Sequence, residues 1–357
     1  YEAYKEAVGD KFGESVPAIF TDEPQMYRRH YMRNALGKER TVLPWTHHLI
    51  DGFKKEYGYD ILDYLPELIW SLEGGKVSKV KYHYSDYTTE LFSRCFSDQC
   101  GDWCEENNLM LTGHMMEEPT LLSQSYAIGE TMRHYRSFQL PGIDMLCDAT
   151  EYTTAKQAQS AAHQYGREGV LSELYGVTNW VFDFRGHKFQ GDWQAALGVT
   201  VRVHHLSWVS MAGESKRDYP ATINYQSPWY KEYSYVEDHF ARLNTALTRG
   251  KPVVKVGVVH PVESYWLHLG PEDTTSEKRW ALEHNFQNIT KWLLLGQVDF
   301  DFIAESLLPD LCKEAGSPLK VGEMEYDTII VPGMETMRRT TFERLKAFKE
   351  KGGKIVF

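Results

Sequence analysis

The chain has 357 residues, 42% hydrophobic and 13% aromatic, with a formal net charge of -11 and a pI near 5.7. That is length enough for two domains with ordinary buried cores, and the acidic balance argues against the basic face that nucleic acid or an anionic membrane would need. The 5 cysteines, Cys95, Cys100, Cys104, Cys147 and Cys312, form neither a dense disulfide framework nor a CxxC zinc pattern, and read as buried thiols.

The first apolar run, Ala18-Ile19-Phe20-Thr21, predicts a strand that ends on Asp22-Glu23-Pro24. A polar and aromatic insertion follows, with helices predicted near residues 45–57, opened by Pro44, and over 84–106, separated by the Gly74-Gly75 turn. On the second of these, Tyr87, Leu91, Cys95, Phe96, Cys100, Trp103 and Cys104 recur at helical spacing and read as a packing stripe. A strand at 109–112 leads to Gly113-His114 and Glu117-Glu118; a helix at 125–138, a strand at 142–146 and a helix at 154–165 come next. The strand Val170-Leu171-Ser172-Glu173, a helix at 192–197 and a strand at 199–206 continue the alternation. Such βαβ succession predicts a parallel sheet. It yields about five barrel-type units against the eight that close a (β/α)8 barrel. We therefore expect a TIM barrel lacking its N-terminal strands, because an open parallel edge exposes unpaired backbone groups.

After a turn-rich stretch at 220–228, a helix is predicted over 230–249 and ends at Gly250-Lys251-Pro252. Beyond it, strands at 253–259 and 328–331, helices at 280–295 and 342–351, and a last strand from Lys354 make a doubly wound pattern. The expected organisation is residues 1–228 as the C-terminal part of a barrel, 229–250 as a linking helix, and 251–357 as a flavodoxin-like or glutamine-amidotransferase-like domain. Pro332-Gly333-Met334 follows its best strand where an amidotransferase would carry its cysteine, and Cys312 lies elsewhere, so this domain reads as noncatalytic. No signal peptide or membrane-length apolar run is visible, and the chain begins at Tyr1, not at a methionine.

Three apolar runs thus deliver a carboxylate where each stops: Glu23, Glu118 and Glu173. In a (β/α) barrel the strand ends face one cleft, so acids placed there act on one substrate. Cleaving a glycosidic bond needs one protonated carboxyl and one ionised carboxylate across it, which points to a glycoside hydrolase. Glu23 is the expected general acid, Glu173 the base or nucleophile, and Glu118 a group that assists water or binds substrate. Asp22, His114, Asp144, Tyr175, Trp180 and Trp208 are the expected sugar contacts, from a chain with 10 Trp and 22 Tyr. A rival metal reading would draw on Asp22, His114, Glu117, Glu118 and His205. However, His204 and His205 point to opposite faces of a strand and no HExxH motif exists, so no metal ligand is assigned. A second rival is a noncatalytic carbohydrate-binding or assembly module that keeps the barrel without a working acid pair.

The segments Thr21-Asp22-Glu23-Pro24, Thr112-Gly113-His114, Pro141-Gly142-Ile143-Asp144 and Ser172-Glu173-Leu174-Tyr175-Gly176 resemble family 106-type α-L-rhamnosidases of clan A. Gly191-Asp192-Trp193-Gln194-Ala195-Ala196-Leu197-Gly198 and His205-Leu206-Ser207-Trp208 add to this. The order of barrel, long helix and flavodoxin-like domain resembles the family 42 β-galactosidases, although those carry Asn where this chain has Asp22. The resemblance places an acid after the fourth barrel strand and a second carboxylate after the seventh, where Glu23 and Glu173 fall. It implies a carbohydrate substrate from plant or host glycans, a secreted or periplasmic setting and a capacity for homo-oligomers. It implies no required cofactor, while allowing a calcium ion near the cleft.

Overall fold

A computed structural model describes residues 1–214, 217, 219 and 223–357; the first three positions of the 220–228 turn segment lie outside the described residues. Strands β1 (Ala18–Thr21), β2 (Met110–Gly113), β3 (Leu140–Met145), β4 (Val170–Leu174) and β5 (Val199–His204) form a parallel sheet in chain order. Parallel neighbours need long crossovers, and helices supply them here. The sheet is open, with β1 and β5 as its edges. All five carboxyl ends therefore lie along one rim.

Strands β6 (Val256–Val259), β7 (Asp301–Ile303), β10 (Thr328–Ile330) and β11 (Lys354–Val356) make a second parallel sheet in the order β11-β10-β6-β7. Between β7 and β10, β8 (Leu319–Val321) and β9 (Met324–Tyr326) pair as an antiparallel hairpin. The α/β class with parallel sheets is as expected.

The Tyr152–Gln164 helix lies between the two sheets, and its sequence explains how. Ala155, Ala158, Ala161 and Ala162 join the core with Leu111, Ile143, Met145 and Val170, where their small side chains permit close approach. Other positions on the same helix complete edge strand β7. Ser160 Oγ accepts from the Phe302 N–H at 2.8 Å, and Gln164 Nε2 donates to the Phe302 carbonyl at 2.7 Å. The backbone groups of a buried edge are thereby satisfied by side chains.

Several expected elements change. The 125–138 helix is two, Leu121–Ala127 and Thr131–Tyr135, broken at Gly129, whose φ is 87° and where a Cβ would lie 1.8 Å from Thr89 Oγ1. Pro44 lies outside the first insertion helix, which runs Leu49–Tyr57. The second runs Lys79–Phe92, passes through a π-helical stretch at Ser93–Asp98, and resumes at Gln99–Glu106. The wider turn shifts the facing of the residues after it, and Ser93, Ser97, Gly101 and Cys104 are the buried ones, so the expected stripe is only half-buried and Cys95 is exposed. Cys147 is exposed as well, correcting the expectation of buried thiols; Cys104 and Cys312 are buried, and all are free. No helix among the described residues is long and apolar enough to cross a membrane.

Candidate active site

The rim of the first sheet gathers its acids around one histidine. Gly113 makes this possible: at φ 112°, a Cβ would stand 1.9 Å from the Thr21 carbonyl oxygen. Only glycine lets β1 and β2 close up there, so that the His114 N–H donates to Thr21 O at 3.1 Å. His114 is fully buried, edge-on to Phe20 with ring centroids 5.5 Å apart. Its Nε2 lies 3.0 Å from Glu173 Oε2 and 3.8 Å from Asp22 Oδ1.

The turns leaving this rim are strained. Glu23, Glu117, Cys147 and Tyr175 follow β1 to β4 with φ of 46°, 63°, 61° and 72°, in the left-handed region that side chains disfavour. Each such residue costs on the order of 1–3 kcal/mol, and clusters of them mark functional turns.

Environment separates the two principal carboxylates. Glu173 is held below its usual range by the hydrogen bond from His114, against burial, with help from the His114 and His205 charges. Glu23 is pushed the other way, first by burial and then by Asp22, Glu173 and Glu117, against His114. Burial pulls His114 down, yet its bond to Glu173 and the charges of Glu118, Asp144 and Glu173 bring it above its ordinary value. Asp144 sits opposite Glu173 in the β3–β4 register. Burial, with Glu173, Glu23 and Asp22 nearby, pushes it up to about 7 against His114, and its Oδ1 is buried without a hydrogen-bond partner.

The structure thus brings together Asp22, Glu23, His114, Asp144 and Glu173. Glu118 departs from the expected water-assisting or substrate-binding position. It is 4% exposed, its Oε1 lies 3.3 Å from the Tyr135 hydroxyl, and burial pushes it up to about 8. Tyr175 is likewise a wall residue, 1% exposed, donating to the His187 carbonyl at 2.9 Å and accepting from Arg202 at 3.1 Å. Trp180 and Trp208 are half-buried on the segments after β4 and β5. Phe20, which packs on His114, is not among the expected site residues, and His205, expected only in the rival metal reading, acts on Glu173 through its charge. A strand-end aromatic and a histidine continuing β5 were the available signals.

Asp22, His114 and Glu173 each offer a donor atom within 4.8 Å of the others. Calcium takes roughly six to eight oxygens. This group brings two carboxylates and an imidazole, so the donor set does not fit calcium.

A parallel α/β sheet whose carboxyl rim holds acids of opposed proton affinity is an architecture that glycoside hydrolases use. The chain belongs to the alpha-L-rhamnosidase family, glycoside hydrolase family 106, whose model matches residues 2–357. A rhamnosidase from Novosphingobium sp. PP1Y has a similar fold: TM-score 0.68 at 19% identity, over 99% of this chain and 32% of that one. The cold-adapted beta-galactosidase from Rahnella sp. R3 gives a TM-score of 0.54 at 18% identity, over 90% of this chain and 49% of that one. A Formosa agariphila protein bearing the name beta-glucuronidase is 22% identical over 320 residues, 87% of this chain and 25% of that protein. The chain therefore spans a quarter to a half of the length of these relatives.

Proposed function

We propose that this chain carries the acid pair of a glycoside hydrolase acting on α-L-rhamnosides. Glu23 donates a proton to the leaving glycosidic oxygen, and Glu173 acts as an ionised base on water or as a nucleophile at the anomeric carbon. The observation that carries this reading is the opposed environment of two strand-end carboxylates around one buried imidazole. Burial and neighbouring acids raise the proton affinity of Glu23, while His114 at 3.0 Å lowers that of Glu173. Asp144, whose buried Oδ1 has no partner, is the proposed acceptor for a sugar hydroxyl. The charge of Glu118 helps to raise the proton affinity of His114. Family membership supports the rhamnoside, as does the rhamnosidase among the similar folds.

We further propose that residues 1–228, 229–250 and 251–357 are a barrel portion, a linking helix and a flavodoxin-like domain. Counted within the last part, the order β11-β10-β6-β7 reads 4-3-1-2, which reversed is the 2-1-3-4 start of the flavodoxin order.

Hydrolysis of an aryl glycoside panel led by α-L-rhamnoside and β-D-galactoside, with Glu23→Gln and Glu173→Gln, tests the acid pair. Loss of ~10²–10⁴-fold in each variant is expected. Rates within a few-fold of the parent would remove both roles, and cleavage of another glycoside in preference would remove the rhamnoside.

A further inference from the structure

A surplus of buried positive charge sits beside the cleft of a chain whose net charge is -11. After Pro24 the backbone turns back along the Leu121–Ala127 helix, with Met26 N–H donating to Ala127 O at 2.9 Å and Arg29 N–H to Tyr126 O at 3.0 Å. Arg28, Arg29 and His30 then line a cavity of about 390 Å³ with Leu122, Ser123 and Tyr126.

Arg29 is 1% exposed. Its guanidinium donates to the hydroxyls of Ser85 and Thr88 at 2.8 and 2.9 Å and lies over the Tyr84 ring, but its Nε–H is buried without a partner. Arg279, 7% exposed, donates to the Tyr126 hydroxyl at 3.4 Å, and its Nε is also buried without a partner. Among the described residues no carboxylate forms an ion pair with either. Buried guanidinium groups are normally matched by anions, because hydroxyls and rings replace only part of the lost hydration. The nearby acids do not fill this role. Glu117 is taken by Arg28 at 2.8 Å, and Glu283 caps the Leu121 and Leu122 N–H groups at 2.8 and 3.3 Å.

Glu117 links the cavity to the acid pair. Ser123, on the cavity lining, donates to the Glu117 carbonyl at 3.0 Å, and the charge of Glu117 is one of those acting on Glu23.

We propose that this cavity is a subsite for an oxyanion carried by a sugar, either a uronate carboxylate or a sulfate ester, on the unit next to the one held between Glu23 and Glu173. The inference rests on the glycosidase reading and gives it a substrate class, acidic glycans. A guanidinium fork matches planar carboxylate and tetrahedral sulfate oxygens alike, and a local cluster of arginines outweighs a repulsive net charge at short range.

Calorimetric titration of the intact chain with methyl β-D-glucuronide, galactose 6-sulfate and methyl β-D-glucoside tests this without requiring turnover. At least one anionic sugar should bind about tenfold or more tightly than the neutral one, and high salt should erode the difference. Which anionic sugar wins identifies the source. Arg28→Ala, at an exposed position, and Arg29→Gln, checked for folding by circular dichroism, should each reduce the preference severalfold and leave neutral-sugar binding unchanged. Equal affinity for all three sugars, or a preference that survives both substitutions, would overturn the subsite. Continued cleavage of a neutral aryl rhamnoside in that event leaves the acid pair standing, whereas anion-selective binding without cleavage leaves the subsite standing.

Discussion

The two parallel sheets each place a knot of acids at their carboxyl ends, and the knots look alike in proton affinity. Around β6, β7 and β10, burial pushes Glu263 up to about 7 and Glu305 up to about 8, while Arg133 and Arg338 overcome burial and draw Asp86 down to about 2. Around β1 to β4, Asp144 goes up to about 7, Glu118 up to about 8, and Glu173 down. What differs is the counterion and the access. Arg338 plugs the second knot, donating to Glu263 at 2.7 Å and Asp86 at 2.5 Å, and Arg133 reaches Asp86 and Glu130 at 2.8 Å each. The first knot has a single imidazole at its centre, and the Asp22 side chain is 74% exposed. Perturbed acids alone do not mark a site, since structural ion-pair networks perturb them too. An acid cluster that is short of cations and open to solvent is the candidate of the two.

If the second knot is structural, breaking it costs stability. Arg133→Met should destabilise the fold by about 3–5 kcal/mol, because it leaves the buried Glu130 without a cation and Asp86 and Glu263 with Arg338 alone. Denaturant unfolding measures this, and a loss under about 1 kcal/mol would break the comparison. A smaller effect is expected beneath the first knot. Glu118 has its proton affinity raised from 4.5 to about 8, so between these pH values the folded chain keeps a proton that the unfolded chain has released. Stability should therefore fall as pH rises from 4.5 to 8 and level off above that. Glu118→Gln should flatten this slope by up to about 1 kcal/mol per pH unit, read from melting curves across the window. An unchanged slope would show that Glu118 is ionised in the fold.

The sequence made the first knot legible and hid the second for one physical reason. Glu23 and Glu173 each close a short apolar run, so strand periodicity alone carries them to the rim. His114 follows β2 in the same way. Asp86 and Arg338 meet across 252 residues, from a helix and a loop, and no local pattern announces that. The depth of Glu118 is not legible from its run, because it depends on Tyr135 and Gln157, which reach it from distant elements. The charge total of -11 concealed Arg29, since a sum over the chain says nothing about where a cation lacks a carboxylate partner. The π-helical stretch at Ser93–Asp98 was equally silent, for it shifts a helical stripe without altering its spacing in sequence.

The finest test lies inside the first knot, where Asp22 is the leading charge that raises Glu23. Asp22→Asn keeps the shape and removes one repulsion, so Glu23 should release its proton at a lower pH. A general acid must be protonated to work, and loss of that proton sets the alkaline limb of the pH profile of kcat/KM. The limb should therefore move to lower pH in Asp22→Asn, whatever happens to the maximal rate through lost substrate contacts. Because amplitude and limb position are separate readouts, a lower maximum with an unmoved limb would mean that Asp22 contacts sugar without tuning Glu23. A limb moved downward shows that like charges add to burial in raising the acid's proton affinity, a contribution that the arginine-filled knot of the second sheet cancels.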